Sequence, residues 1–451
     1  MENIRKKLQN KKSFPYMGYT VLKSKLLSAF ILFLSSIIII RALPKDEYGL
    51  YVLISVFFSF FELFLSVNDA SLTRFISTSG KRMQHQLVAT VLSIKTLIIF
   101  LILTLFVFLY DISINILSVP SEKLLVYENL YLIMSIGFIS KYIITTTITT
   151  LNAFMLYEIL FRLTILNSLA ILIIALFVSF YSLNIWQYVQ LTTIFSFIYA
   201  IVSLYTLSRE GRLSYRMIFN SINIKTIKST LQRKIIPYSL PLFGIGLLGY
   251  IKNYLPSFIL GTTASLEILA SYNIFKRLTD FLHKGYDSFI QGLYPKLFKM
   301  MHSKSKVIDT LFWIGLILRI IAFVSLYFGY ELIVNIYDIE ESKYDYLIFS
   351  ILISVFLIKY FSTFSNLIIM NDKTTFSLFK SSIMATIFSI LAMYGMYEFY
   401  AIIGLILAIF MSSIFGTSLT LYYSMKIYSN TIVKISYIVI ILMLMTRSIF
   451  W

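Results

Sequence analysis

Eleven basic and four acidic side chains interrupt the long apolar stretches of this sequence, and they are its candidates for chemistry. A charge inside hydrocarbon is costly, so such residues normally face a bundle interior or a water-filled cavity. The basic residues are Lys23, Lys25, Lys95, Lys141, Arg162, Lys252, Lys276, Arg277, Lys284, Arg319 and Lys359. The acidic residues are Glu62, Asp69, Asp280 and Asp287. Because cations are in excess, the pattern favours an anionic passenger that carries phosphate or pyrophosphate.

Five polar residues form a stripe in the eighth apolar stretch. Lys276, Asp280, His283, Lys284 and Asp287 follow helical spacings, so they share one face of a helix whose other face is aromatic and aliphatic. A helix striped in this way is expected to line a polar cavity. The alternative is a self-neutralised ladder of ion pairs, in which Lys276 pairs with Asp280 and Lys284 pairs with Asp287.

Lys141 and Lys359 each lie in the middle of an apolar stretch, with no acid within one helical turn. An unpaired lysine there would cost a few kcal/mol. A water-filled cavity, a partner on another helix or an anionic substrate would each relieve that cost, and snorkelling to the membrane surface is a further alternative. Glu62, Asp69, Asp280 and Asp287 are candidates for proton or ion coupling, and a simple ion-pair role is equally open.

Enzyme chemistry finds no support in the sequence. It contains no Walker A loop, no HExxH and no GxSxG motif. It has no cysteine and only three histidines, so we expect no metal centre and no cofactor. The net charge of +18 is explained by basic cytoplasmic loops, so it does not indicate nucleic acid binding.

The elements that position these charges are predicted to be membrane-spanning helices. Apolar residues make up 58% of the chain and charged residues only 13%, against about 25% in soluble proteins, and mean hydropathy is +0.83. A helical span needs roughly 20 apolar residues, which predicts about 12 spans in an all-α polytopic protein. The predicted spans are 20–41, 50–68, 87–110, 124–151, 159–182, 186–207, 235–260, 266–294, 309–336, 345–370, 376–397 and 400–425.

Two further regions raise separate questions. The segment Arg41 to Tyr51, with Pro44 and Gly49, is predicted to be a polar turn between the first two spans. Residues 432–451 are either a thirteenth span or an interfacial helix.

Loop charges predict orientation and domain organisation. Basic residues concentrate in alternate loops, above all in 209–234, so the amino terminus and this linker are expected in the cytoplasm. The predicted organisation is a six-helix lobe at 1–208, the basic linker at 209–234, a second six-helix lobe at 235–425 and a tail at 426–451.

An internal repeat is predicted at a shift of 218 positions. It aligns Lys141 and Tyr142 with Lys359 and Tyr360, and it aligns Arg162 with Lys380. It also aligns Glu62 with Asp280 and Asp69 with Asp287. Because each half has an even number of spans, the halves would be parallel, with the binding site in the cleft between them.

Several motifs resemble one family of membrane transporters. RALPKDEYGLY at 41–51 and NDASLTRFIS at 68–77 resemble the start of polysaccharide-transport flippases, the Wzx-type exporters of O-antigen and capsule repeat units. PYSLPLFGIGLLGYIKNYLPSFILG at 237–261 and ASYNIFKRL at 270–278 resemble their seventh and eighth helices. The family belongs to the MOP superfamily, which also contains MATE-type multidrug exporters and the lipid II flippase.

The resemblance implies two six-helix lobes in a V around a cationic cavity. It implies alternating-access transport of undecaprenyl-pyrophosphate-linked oligosaccharide across the bacterial inner membrane, for lipopolysaccharide or other polysaccharide biosynthesis. It also implies membrane lipid, a polysaccharide polymerase and a chain-length regulator as partners. On this hypothesis the cations would contact pyrophosphate or acidic sugar: Lys141, Lys252, Lys276, Arg277, Lys284, Arg319 and Lys359. Tyr142, Tyr254 and Tyr360 would stack on sugar rings.

Three other functions remain open from the sequence. An ion-coupled multidrug antiporter of the same fold would need a net acidic cavity, and the first span has Lys23 and Lys25 but no acid. A major-facilitator transporter would also have parallel six-helix halves, but the loop RFISTSGKRMQHQ at 74–86 lacks the motif usual there. A membrane polymerase would need a large outer loop, and none is predicted.

Overall fold

The computed structural model describes residues 14–66, 81–154, 156–210, 235–300, 305–337, 343–371, 375–427 and 431–449, and four single positions between 66 and 81. All regular structure in these ranges is helical, which confirms the predicted all-α class. The predicted basic linker lies outside the described residues from 211 onward.

Six long helices precede the linker. They are α1 (Phe14–Ala42), α2 (Lys45–Ser66), α3 (Lys81–Ile116), α4 (Leu124–Ala153), α5 (Tyr157–Phe180) and α6 (Ile185–Glu210). Seven helices follow it. They are α7 (Ile236–Thr263), α8 (Leu266–Met300), α9 (Ser305–Phe328), α10 (Tyr330–Tyr337), α11 (Asp345–Asn371), α12 (Thr375–Ile427) and α13 (Thr431–Ile449).

Each predicted span overlaps one of these helices or part of one, except 309–336, which covers most of both α9 and α10. By length and composition, eight described stretches can cross a membrane, or nine if α9 and α10 form one bent span. One of the eight lies in α12 and contains a break at Ala401, where φ is 50° and ψ is −132°. The break falls next to the predicted boundary between spans 376–397 and 400–425.

The connection between α1 and α2 is shorter than predicted. Helix α1 ends at Ala42 and α2 begins at Lys45, so only Leu43 and Pro44 connect them. Asp46 and Glu47 occupy the first turn of α2, where negative charge is favourable. Gly49 is buried inside α2, so its predicted role in the turn is wrong.

Two helices of the first half end in the same way. After α3, Ser118 has a φ of 49°, and the Val119 amide donates to the Ile114 carbonyl at 3.2 Å. After α5, Ser182 has a φ of 50°, and the Leu183 amide donates to the Val178 carbonyl at 3.0 Å. Such left-handed residues stop a helix while satisfying its last carbonyl groups.

The described chain forms two compact units, and each has its own core. The first comprises residues 1–247 with 261–263, and the second comprises 248–260 with 264–451. In the first unit an aromatic cluster joins α2, α3 and α4 through Phe58, Phe106 and Tyr131. In the second unit Phe312, Tyr360 and other rings pack α9 against α11. The predicted lobe boundaries stay a prediction.

Helix α13 belongs to the second unit. The Tyr437 hydroxyl donates to the Ile414 carbonyl at 2.8 Å, and it lies 2.9 Å from Ser418 Oγ. Its ring contacts Phe361 on α11, with centroids 5.1 Å apart. The apolar part of α13 is short, Val433–Leu444, so the choice between a thirteenth span and an interfacial helix stays open.

Candidate substrate-binding cavity

The second unit contains a polar cavity between α7, α8, α11 and α12. Its volume is about 50 Å³, which is room for one or two water molecules. The polar and charged side chains that line it include Lys252, Asn253, Lys276, Thr279, Asp280, His283, Lys359, Ser412 and Ser413. Three of the predicted cations and one of the predicted acids therefore meet at one cavity.

Lys252 and Lys359 dominate the electrostatics of this cavity. Within the described part of the chain, neither ammonium group has a hydrogen-bond or ion-pair partner. The two charges are close enough to repel each other. An anion between them would remove that repulsion, and its hydrogen bonds to ammonium groups would be strengthened by the low dielectric of the site.

Lys276 is held by contacts with α7 and with a tyrosine of its own helix. Its Nζ donates to the Asn253 carbonyl at 2.5 Å. It also lies 5.0 Å from the ring centre of Tyr254 and 5.7 Å from that of Tyr272, in cation–π geometry. Asp280 forms no ion pair with the described side chains. The predicted Lys276–Asp280 rung of the ladder is therefore wrong in this conformation.

Arg319 lies behind the cavity wall and is 2% exposed. Its Nη1 donates to the Phe356 carbonyl at 2.7 Å, and its Nη2 donates to His283 Nδ1 at 2.7 Å. Arginine has donors only, so His283 must accept on Nδ1 and carry its proton on Nε2. Arg319 thus contacts a histidine that lines the cavity, and its predicted role in substrate binding stays a prediction.

The three tyrosines predicted to stack on sugar rings have different surroundings. Tyr360 is completely buried and donates to the Phe312 carbonyl at 2.6 Å, so it cannot contact a sugar in this conformation. The Tyr142 hydroxyl is 2.7 Å from that of Thr96 in the first unit. Tyr254 is only partly buried and stacks on Tyr250, with centroids 4.5 Å apart.

Ion pairs on neighbouring elements hold two of the predicted lysines of the first unit, Lys141 and Lys95. Lys141 on α4 pairs with Glu62 on α2, so a partner on another helix lowers the cost of its charge. Both side chains are partly exposed, at 49% and 37%. Lys95 on α3 pairs with Asp69, and the lysine is fully buried.

Three further predicted residues belong to α8. Arg277 is exposed and lies outside the lining. The side chains of Lys284 and Asp287 lie outside the described part of the structure. Their predicted roles stay predictions.

Sequence reasoning missed Asn253, Thr279, Ser412 and Ser413 as lining residues. Asn253 had a usable signal, because it directly follows Lys252 inside an apolar stretch. Isolated serine and threonine carry no such signal, since they are common in membrane helices with their hydroxyl bonded to their own backbone.

The repeat-related charges have related positions in the two units. In the first unit, Glu62 on α2 pairs with Lys141 on α4. At a shift of 218, Asp280 on α8 and Lys359 on α11 line the same cavity but form no ion pair with each other. The same two elements of each half thus bring an acid and a lysine into one region.

Comparison with known proteins identifies the family and the fold. A family model described as polysaccharide biosynthesis protein matches residues 18–301. No curated protein matches the chain. Among solved structures, the lipid II flippase MurJ in an inward closed conformation superposes with a TM-score of 0.67 at 16% identity, covering 96% of this chain and 98% of that one.

Two MATE transporters have the same fold. The Vibrio cholerae transporter VcmN, in a mutant form, has a TM-score of 0.63 at 14% identity, and the match covers 94% of this chain and 99% of that one. The multidrug transporter DinF-BH, solved as a complex, has a TM-score of 0.65 at 13% identity, with 93% and 96% covered. These superpositions confirm the predicted MOP/MATE-like fold. The chain is therefore a multi-pass membrane protein that belongs to the polysaccharide biosynthesis protein family.

Proposed function

We propose that this protein is a flippase that translocates undecaprenyl-pyrophosphate-linked oligosaccharide repeat units, of O-antigen or capsule, across the bacterial inner membrane. The observation that carries the proposal is the charge of the cavity in the second unit. Lys252 and Lys359 bring two cations there without an acid paired to either among the described residues. A diphosphate would supply the negative charge that balances these two ammonium groups.

The family and one structural neighbour support the same class of passenger. The family is named for polysaccharide biosynthesis, and MurJ is described as a lipid II flippase. On this proposal the chain performs no enzymatic step. Its amino terminus would face the cytoplasm, and a polymerase and a chain-length regulator would act on the exported product.

The size of the cavity implies that binding requires movement. A volume of about 50 Å³ is too small for a diphosphate, so the helices around it must separate before the passenger enters. The narrow cavity would then belong to one conformation of an alternating-access cycle. Lys252 and Lys359 would contact the diphosphate when the cavity widens.

The test is translocation of a fluorescent polyprenyl-pyrophosphate oligosaccharide in proteoliposomes, with a membrane-impermeant quencher reporting the outer leaflet. We expect the native protein to translocate the lipid, and we expect the double variant Lys252→Met, Lys359→Met to do so at least tenfold more slowly. The matched control is Lys426→Met, because Lys426 is an exposed lysine of the same unit that lies over Tyr422.

Two results would overturn the proposal. One is the absence of translocation by native protein that is correctly inserted and monodisperse. The other is an unchanged rate in the double variant, which would show that the passenger does not depend on these cations.

A further inference from the structure

A second polar cavity of the same unit lies between α7, α11 and α12 and has a volume of about 120 Å³. Its polar lining consists of hydroxyl groups, one carboxamide and one lysine, contributed mainly by Lys252, Ser362, Asn366, Ser382, Thr386 and Thr420. Among the described residues, none that lines this cavity is an aspartate or a glutamate. The cavity is thus polar and positively charged, with one formal charge.

The ammonium group of Lys252, which lines the first cavity, also borders this second cavity. A Cβ atom at Gly416 would be 2.5 Å from Lys252 Nζ, so the ammonium group occupies the space that a larger residue would fill. Gly416 lines this second cavity and does not line the first. The ammonium group is therefore available to a ligand in the second cavity.

Three neutral side chains in the lining have unused hydrogen-bond donors. Ser362, Asn366 and Ser382 form no side-chain hydrogen bond within the described part of the chain. By contrast, Thr386 donates to the Ser382 carbonyl at 2.8 Å and Thr420 donates to the Thr417 carbonyl at 2.9 Å. Two hydroxyl groups, one carboxamide NH₂ and one ammonium group therefore surround the same space with donors.

The positive charge of the lining indicates what charge a ligand of this cavity should carry. A metal cation would be repelled by the ammonium group that is already present. A dianion would leave an uncompensated negative charge in a low-dielectric site, which is costly. A monovalent anion matches both the single positive charge and the donors. We propose that this cavity binds a small monovalent inorganic anion of the chloride class, held by Lys252, Asn366, Ser362 and Ser382.

This inference does not rest on the proposed flippase function. It concerns a second cavity, which shares only Lys252 with the first, and it holds for any passenger. Its consequence for the first cavity is electrostatic, because an anion beside Lys252 would weaken the repulsion between Lys252 and Lys359.

The test is the unfolding midpoint of the full chain in detergent, measured as sodium chloride replaces sodium gluconate at constant ionic strength. Gluconate is too large for the cavity, and constant ionic strength keeps screening equal. A ligand that binds only the folded state raises the midpoint with increasing concentration. We expect such a rise in the native protein, and an apparent chloride affinity at least tenfold weaker in Asn366→Leu and in Ser362→Ala.

The matched control is Ser135→Ala, since Ser135 is a helical serine of the first unit whose hydroxyl donates only to its own helix, at Tyr131. Equal midpoints in chloride and gluconate would overturn the proposal and leave a water-filled cavity. An unchanged chloride response in both cavity variants would overturn it as well. If the variants fail to fold, crystals of the native protein in bromide decide, because the proposal requires an anomalous peak beside Lys252 Nζ.

Discussion

At the scale of single residues, two ion pairs of the first unit differ in how deeply their side chains are buried. Lys141 and Glu62 remain 49% and 37% exposed, whereas Lys95 is 0% exposed beside Asp69 at 22%. Exposed pairs contribute about 0–1 kcal/mol, because water already solvates both charges. Removing one partner of a buried pair costs about 3–5 kcal/mol, because the remaining charge stays desolvated.

We therefore expect Lys95→Met to lower the free energy of unfolding by about 3–5 kcal/mol. Lys141→Met should lower it by no more than about 1 kcal/mol. Denaturant unfolding in detergent, followed by circular dichroism, measures both, and Lys141→Met is the matched control. Equal losses in the two variants would contradict this ranking.

The sequence could not supply the partner of Lys141. A search within one helical turn sees only neighbours on the same helix, and Glu62 lies 79 positions away on α2. Both residues were identified as candidates, but their contact depends on how α2 packs against α4. For the same reason, the contacts of Arg319 with His283 and Phe356 were beyond sequence reasoning.

At the scale of elements, helix positions were predictable because lipid imposes a minimum length of apolar helix. The boundary inside α12 was also predicted, and the structure places a break there at Ala401. The bend of 67° between α9 and α10 was missed, because hydropathy continues through it and both helices fit one predicted span. Gly329, between them, was the available signal.

The break at Ala401 predicts a stabilising substitution. An alanine with φ 50° and ψ −132° adopts a backbone conformation that favours glycine and costs about 1–3 kcal/mol. Ala401→Gly should remove that strain, and part of the gain is lost because glycine makes the unfolded chain more flexible. We expect a net stabilisation of about 1 kcal/mol in thermal or denaturant unfolding.

The matched control for that substitution is Ala170→Gly, since Ala170 lies inside the regular helix α5. There glycine should destabilise by about 1 kcal/mol. Destabilisation by both substitutions would show that the Ala401 backbone is not strained.

At the scale of the whole molecule, the fold does not distinguish a flippase from an antiporter, whereas the charge of the cavity does. MATE transporters share the fold, and one of those compared is a multidrug transporter. The described residues that line the cavity of the second unit, however, include Lys252, Lys276 and Lys359 and one acid, Asp280. An organic cation would meet net repulsion there, which favours the flippase over the antiporter.

We therefore expect no proton-driven efflux of a cationic dye from proteoliposomes that contain this protein. The measurement is dye fluorescence after an imposed pH gradient, with a MATE transporter as the positive control. Efflux that disappears in Asp280→Asn would assign the protein to the antiporter class, because it would make Asp280 the cation-handling acid.

The predicted internal repeat shows how much of the arrangement of charges could be predicted from the sequence. A shift of 218 related two acids and two lysines, and the structure places each acid near its lysine on corresponding helices. The sequence did not show that Glu62 and Lys141 would form an ion pair whereas Asp280 and Lys359 would not. That difference depends on packing within each unit, on which periodicity and spacing carry no information.

The break in α12 also bears on how the chain enters the membrane during synthesis. Two apolar segments are joined there through a single non-helical residue, with Glu398 three positions before it, so the ribosome delivers no long hydrophilic connector between them. If the first segment inserted alone, the backbone at the break would enter hydrocarbon, where its amide and carbonyl groups would have no hydrogen-bond partner. Both segments are therefore expected to insert together as a hairpin. Their common insertion step would fix the side of the membrane from which α13 begins.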